Sequence, residues 1–307
     1  MRNGLWGSTI AMAAVVVVLS LASVPTAGQT PTADAKKTSD PPRTADGKPD
    51  MQGYWVKGPG ANGYSIEGTF QAPNGAVLGT ITAADPFRIA PPAPARASQE
   101  RASSIVDPPD GRLPYQPWAA AKRKEIADNQ ANAKWEYVDP QARCFLDLVP
   151  RIMYQPENPF QILQLPEYVV ILYEWTHAYR IIPMDGRPHV GEDIKLWMGN
   201  SRGHWEGHTL VVDVTNINDM NFFDTVGTFH SDAMHVVERW TLVDADRINY
   251  EVTIEDPQVF TRPWKMAFPF LRNKDKGFEL LEHACHEGER DANLMTNRSS
   301  IEKKGEK

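Results

Sequence analysis

The stretch HVVERWTLVDADRINYEVTIED, residues 235–256, decides the fold. In its second half Ile248, Tyr250, Val252, Ile254 and Asp256 share one face of an extended chain. Arg247, Asn249, Glu251, Thr253 and Glu255 share the other. This is the period-two pattern of a strand buried on one side. In the first half Val236, Glu238, Trp240 and Leu242 share a face. One even register matches apolar to apolar: Leu242 opposite Ile248 and Trp240 opposite Tyr250, with Asp244-Ala245-Asp246 as the loop. That register puts Glu238 opposite Val252, on the buried side. A carboxylate there must be ion-paired, hydrogen-bonded or protonated. It is either one half of an internal ion pair or the polar end of a cavity.

Working outward, the same alternation recurs. In the run after His208, Leu210, Val212 and Val214 share a face, and Asp213 falls on the other with Thr209, Val211 and Thr215. The turn before that run is assigned to Glu206-Gly207, since glycine supplies a positive φ. YVVILYEW, residues 168–175, is apolar on both faces, as in a strand covered on both sides. It continues through Thr176-His177 into AYRIIPMD, a hairpin partner that aligns Tyr173 with Arg180. Further strands are expected at 195–198, 264–271 and 278–286. Successive strands joined by short turns imply a mainly β, antiparallel sheet that closes or sandwiches. Helical periodicity is confined to WAAAKRKEIADNQ, residues 118–130, which follows Pro117 and is too polar to be buried.

The flanks bound the class. The chain has 307 residues, 41% of them hydrophobic and 23% charged, with a net charge of -7. An acidic balance argues against nucleic acid and anionic membrane as partners. Residues 1–28 read as a cleavable export signal: Arg2, then the apolar run IAMAAVVVVLSLASV from Ile10 to Val24, then small residues. That run is shorter than a spanning helix requires, so no stable membrane insertion is expected after cleavage. Residues 29–50 read as a disordered linker, 51–290 as a single β-barrel domain, and 291–307 as a polar tail. Prolines crowd 86–117, which is read as an extended arm laid over the domain. In an exported chain the two cysteines, Cys144 and Cys285, are expected to pair, the alternative being two buried thiols.

Polar residues in apolar surroundings mark the candidate lining: Glu174, Arg180, Asp213, His235, Glu238 and Arg239. Eight histidines carry no metal-ligand spacing, and no cofactor fingerprint or nucleophile motif occurs, so neither a metal nor a cofactor is expected. Gly53-x-Trp55 resembles the Gly-x-Trp signature of lipocalins and other calycin barrels, in which the tryptophan closes the barrel's bottom. WMGNSRGHWEGHTLVVD (197–213), HVVERW (235–240), EDPQVFTRPW (255–264), EHACHEG (282–288), DGRPH (185–189) and SIVDPPDGRLPY (104–115) together resemble a large group of exported bacterial proteins of unassigned function. His208 departs from that pattern, where aspartate is common. The resemblance implies a lipocalin-like barrel, export and the Cys144–Cys285 bridge, and it carries no reaction.

The fold expected is a closed or nearly closed lipocalin-like antiparallel barrel with a Pro-rich arm and one surface helix, periplasmic or secreted. Its expected function is binding a small, largely apolar molecule, with Trp197, Trp205, Trp240 and Tyr250 lining the space and Glu238 and Arg180 at a polar end. Glu174, Asp213 and Arg239 join the ligand-binding set. The alternative is an acid–base enzyme, a lyase, isomerase or hydrolase, with Glu238 as base, His235 as proton carrier and Arg180 as anion stabiliser. His235 and Glu238 have opposite parity, so this needs a bulge. A third reading is an envelope interaction protein using the arm as a strap.

Overall fold

The computed structural model describes residues 40–60, 63, 65–68, 70–71, 77–78, 103–129, 136–154 and 159–285. The expected export signal and the tail 291–307 lie outside the described residues. In chain order the strands are β1 (Gly53–Lys57), β2 (Phe70–Gln71), β3 (Val77–Leu78), β4 (Ile105–Asp107), β5 (Phe160–Leu165), β6 (Tyr168–Tyr173), β7 (Tyr179–Pro183), β8 (Asn200–Glu206), β9 (Thr209–Thr215), β10 (His235–Asp244), β11 (Arg247–Glu255) and β12 (Trp264–Arg272). The helix α1 spans Pro117–Asp128, led by its N-terminal proline, and buries only Ala119, Arg123 and Ile126.

The main sheet is antiparallel and runs β7-β6-β5-β1-β12-β11-β10-β9-β8, with β4 also paired to β12. Its two end strands meet through side chains, so the sheet curls into a nearly closed barrel. At this seam the Arg180 Nε donates to Ser201 Oγ at 2.8 Å. Gly203 on β8 lies against Ile182 and Met184, and a Cβ there would sit 2.5 Å from the Met184 sulfur. Among the described residues β7 and β8 share no backbone ladder.

The β10–β11 hairpin has the register read from the alternation: Leu242 faces Ile248, Trp240 faces Tyr250 and Glu238 faces Val252. The pairing continues to Asp244 opposite Arg247 across an irregularity, so Ala245-Asp246 alone forms the loop. Inward residues stack in rows across the strands. One row is Trp205, Leu210, Trp240, Tyr250 and Phe268; the next is Gly203, Val212, Glu238, Val252 and Met266. Trp240, Tyr250, Phe160 and Phe270 are essentially inaccessible, and their rings meet at 4.9–6.0 Å. Ring contacts of this kind add to the area they bury. At one end Trp55 is fully buried, its Nε1 donating to the Met51 carbonyl at 2.8 Å and the Arg272 guanidinium lying 4.3 Å above its ring.

Several local expectations change. The β6–β7 hairpin aligns Ile171, not Tyr173, with Arg180, because residues 174–177 form a longer loop with Thr176 and His177 at positive φ. The two-residue shift keeps Arg180 inward. The β8–β9 turn is Gly207-His208 rather than Glu206-Gly207. Residues 195–198 hold a lone parallel bridge, Leu196 to Ile217, in place of a strand. No strand forms over 278–285: that segment is held by side chains, with Phe278 edge-on to Tyr54 and the Leu281 N–H donating to Glu174 at 2.8 Å. Cys144 and Cys285 stand at disulfide distance, their Cα atoms 5.7 Å apart.

The end of the expected linker is ordered. Arg43 pairs with Pro49, and Pro41 and Pro49 are buried, because short-range backbone bonds such as Asp50 N to Pro42 O fold 42–50 into a turn. The described part of the proline-rich arm enters the sheet rather than lying over it. Its β4 pairs with Lys265–Met266, where β1 no longer covers β12.

Candidate functional site

Glu238 sits mid-strand on β10 between Val212 and Val252 and is fully buried. Its carboxylate accepts from Arg180 Nη2 through one oxygen and from Tyr250 Oη at 2.9 Å through the other. Arg180 reaches it from β7 across the seam and is itself buried. A guanidinium, a carboxylate and a phenol thus share the barrel interior. Burial pulls the Arg180 guanidinium down, but the Glu238 charge and hydrogen bond together with the Tyr173 and Tyr250 phenols more than offset it, and the group is raised on balance. Burial raises the Tyr250 phenol, and Glu238 raises it further; Tyr173 on β6 is also raised by burial, against the pull of Arg180.

Among the described residues of this region Trp240 Nε1 is buried without a hydrogen-bond partner, while Tyr173 Oη and Arg180 Nη1 are buried with no partner at good geometry, the Arg180 guanidinium acting on the Tyr173 phenol. Tyr173 and Trp240 flank Phe160 at 6.1 and 6.0 Å between ring centroids, and Trp240 lies 4.9 Å from Tyr250. Buried donors without partners are unusual and costly.

A second cluster lies on the outer face. Asp213 on β9 receives His189 Nε2 on one oxygen at 2.7 Å and His235 Nε2 on the other at 2.8 Å. His189 Nδ1 faces Asn200 Oδ1 at 3.1 Å. The segment carrying His189 is fixed by Arg202, which donates to the Arg187 and Pro188 carbonyls, and by Asn216, which donates to those of Gly191 and Ile194. His189 and His235 border an open groove of about 460 Å³ that also involves Glu192, Lys195, Thr215 and Asp232. Among the described residues no three His, Cys, Asp or Glu side chains form a set able to hold a metal ion.

The sequence-derived residues therefore divide. Glu238, Arg180, Trp240 and Tyr250 come together inside the barrel. Trp205 faces inward at the end of the Trp240 row and is partly buried. Trp197 lies elsewhere, stacked on Phe145 at 5.0 Å. Glu174 holds the C-terminal segment, and Arg239 pairs with Glu206 at 2.8 Å on the outside. His235 and Asp213 are outward, because β10 runs unbulged from His235 to Leu242 and their parity is opposite to that of Glu238. The trio of Glu238, His235 and Arg180 is thus not assembled in one space. Tyr173, Ser201 and His189 are the residues the sequence reading missed; DGRPH marked His189 as part of a motif without giving it a partner.

No family model and no curated protein matches the chain. Among solved structures it is similar to a mutant of the fluorescent protein UnaG, at 11% identity and a TM-score of 0.23, over 38% of this chain and 73% of that one.

Proposed function

We propose that the protein is a binding barrel for a small, largely apolar molecule bearing an acceptor oxygen. The observation that carries this reading is a set of buried donors left under-satisfied beside the Arg180–Glu238 pair: Trp240 Nε1, which has no partner, and Arg180 Nη1 and Tyr173 Oη, which have none at good geometry. The internal pair is formally neutral, so the remaining donors favour a carbonyl, carboxylate or phenolate oxygen on the ligand. The apolar body of the ligand would rest among Trp205, Leu210 and Phe268, a combination of apolar walls and few polar groups that suits small-molecule sites. Arg180 is the orienting residue and Glu238 holds Arg180 in place. The reading takes the protein as exported, which the Cys144–Cys285 pair supports.

The test is untargeted mass spectrometry of small molecules retained by the purified protein, compared with Tyr173→Phe. The expected result is one enriched species whose affinity falls about 5-fold in the variant, as for loss of one hydrogen bond of about 1 kcal/mol. If only water occupies the site, the extract holds nothing above background and the reading is overturned.

A further inference from the structure

We propose that the outer face of β5, β6 and β7 is a dimer interface, packed against the same face of a second copy of this chain. The register of the three strands sets their outward residues in rungs. The middle rung is Leu163, Val170 and Ile181. Leu172 and Tyr179 extend the face at one end, beside Gln161. Leu165 and Tyr168 extend it at the other, beside Pro183. Gln161 supplies a neutral amide, and no position on the three rungs carries a charge. The face is open: Leu165, Tyr179 and Ile181 keep 54%, 62% and 50% of their surface.

A strand that is apolar on both faces is normally covered on both sides. In YVVILY the barrel covers one side only, through Val169, Ile171 and Tyr173, which are buried. The same barrel shows what a wetted outer face is made of. On β10 and β11 the outward positions include Arg239 and Thr241 opposite Glu251 and Asn249. An apolar residue standing alone on a surface needs no explanation, but a contiguous apolar patch of several hundred Å² marks an interaction surface.

Charge, shape and area select a second copy as the occupant. A two-fold contact sets one patch against itself, so charges within it would meet their own sign. In a chain of net charge -7 this face avoids that conflict. At its margin Arg187 is already neutralised by Asp185. Sheet faces pack on one another about 10 Å apart with their strands nearly aligned, so a pleated three-strand face is complementary to its own copy. Strands about 4.8 Å apart and alternate residues about 6.8 Å apart give the three rungs a footprint of roughly 300 Å². One further ring of residues brings this to about 800 Å², the usual share of each partner in a stable complex. Tyr168 and Tyr179 stand at the ends of the face, where an aromatic body with a polar tip suits the border between an apolar core and a polar rim. A bilayer surface would call for basic residues around the patch, whereas Glu167 and Glu174 flank it.

The experiment is sedimentation of the full chain over a concentration series. The parent should form a dimer with a Kd at or below the micromolar range, as interfaces of this size do. Val170→Glu, at the centre of the face, sets two like charges against each other and should weaken the dimer at least 100-fold. Ile181→Lys, on the exposed end strand, should do the same and serves if Val170→Glu does not fold. Thr253→Glu, on the polar outer face of β11, should leave the dimer unchanged. Because the core of the interface is uncharged, association should hold or tighten as salt rises. A parent still monomeric at about 100 μM, some hundred times the upper end of the expected range, overturns the proposal. So does a dimer that survives Val170→Glu and Ile181→Lys in folded protein, or one that loosens as salt rises. A monomeric parent that floats with phosphatidylcholine vesicles, and no longer does so as Val170→Glu, would assign the face to lipid and overturn the second copy. None of these outcomes depends on whether the barrel retains a small molecule.

Discussion

Replacing Glu238 by Gln keeps the shape of the side chain and removes its charge. The variant leaves the Arg180 guanidinium, 4% exposed, without its counter-ion in the interior. Removing one partner of a buried pair costs about 3–5 kcal/mol, most of it the penalty of the stranded charge. Against a total stability of roughly 5–15 kcal/mol this is a large fraction. Replacing both partners, Arg180→Met with Glu238→Leu, removes the stranded charge along with the pair. The double variant should recover most of the loss or exceed the parent by about 1–4 kcal/mol. Urea unfolding at pH 7 with the disulfide intact, followed by tryptophan fluorescence, compares the parent, Glu238→Gln and the double variant. A cost below about 1 kcal/mol for Glu238→Gln would show that the pair is bathed in water and would refute a buried, charge-paired Arg180–Glu238 interior. The double variant also separates stability from binding: it should fold well and retain no ligand.

Three further outcomes are expected. Burial pushes the Asp147 carboxyl up to about 7 despite Arg151 beside it. The folded state then holds a proton that the unfolded chain releases near pH 4, so this group makes stability fall as pH rises from about 4 to 7 and level off above. Asp147→Asn should flatten that slope in urea midpoints taken across the window, and an unchanged slope would count against the assignment. Cys285→Ser opens a loop spanning 141 residues of sequence separation, with a predicted loss of up to about 5 kcal/mol by the loop-entropy argument. Denaturation of the variant beside the reduced parent checks it, and equal midpoints for oxidised and reduced parent would mean the link contributes nothing. Gly203→Ala drives a methyl into Met184 and Ile182 at the seam; overpacking of this kind costs about 1–3 kcal/mol, and hydrogen exchange should locate the loosening in β7 and β8 rather than in β11.

The legible part of this protein was the part governed by parity. Residues 235–255 alternate so strictly that one register survives, and Glu238 turns inward as a consequence. Arg180 could be placed inward as well, because an error of two residues in the hairpin preserves the face. What parity cannot convey is which inward residues meet across a seam. Ser201 and Tyr173 reach the polar interior through barrel closure, a property of strand order over the whole chain. His189 was hidden for another reason. It sits in a segment without periodicity and finds Asp213 because distant side chains, such as Asn216 donating to the Gly191 carbonyl, fold the connector. The segment 278–285 looked like a strand because it is locally apolar, yet it docks by individual side chains and a sulfur link, which no alternation reports.

The position of β1 between β5 and β12 has a consequence for how the chain comes into being. Synthesis delivers the first strand some 200 residues before the last, and the last is the one that joins the two halves of the sheet. Until Arg272 has emerged, β1 and β11 each present a bare edge, and neither half can wall off the other's apolar rows. A nascent chain of this topology therefore stays open for most of its time on the ribosome and closes late, in one event, when its C-terminal strand arrives.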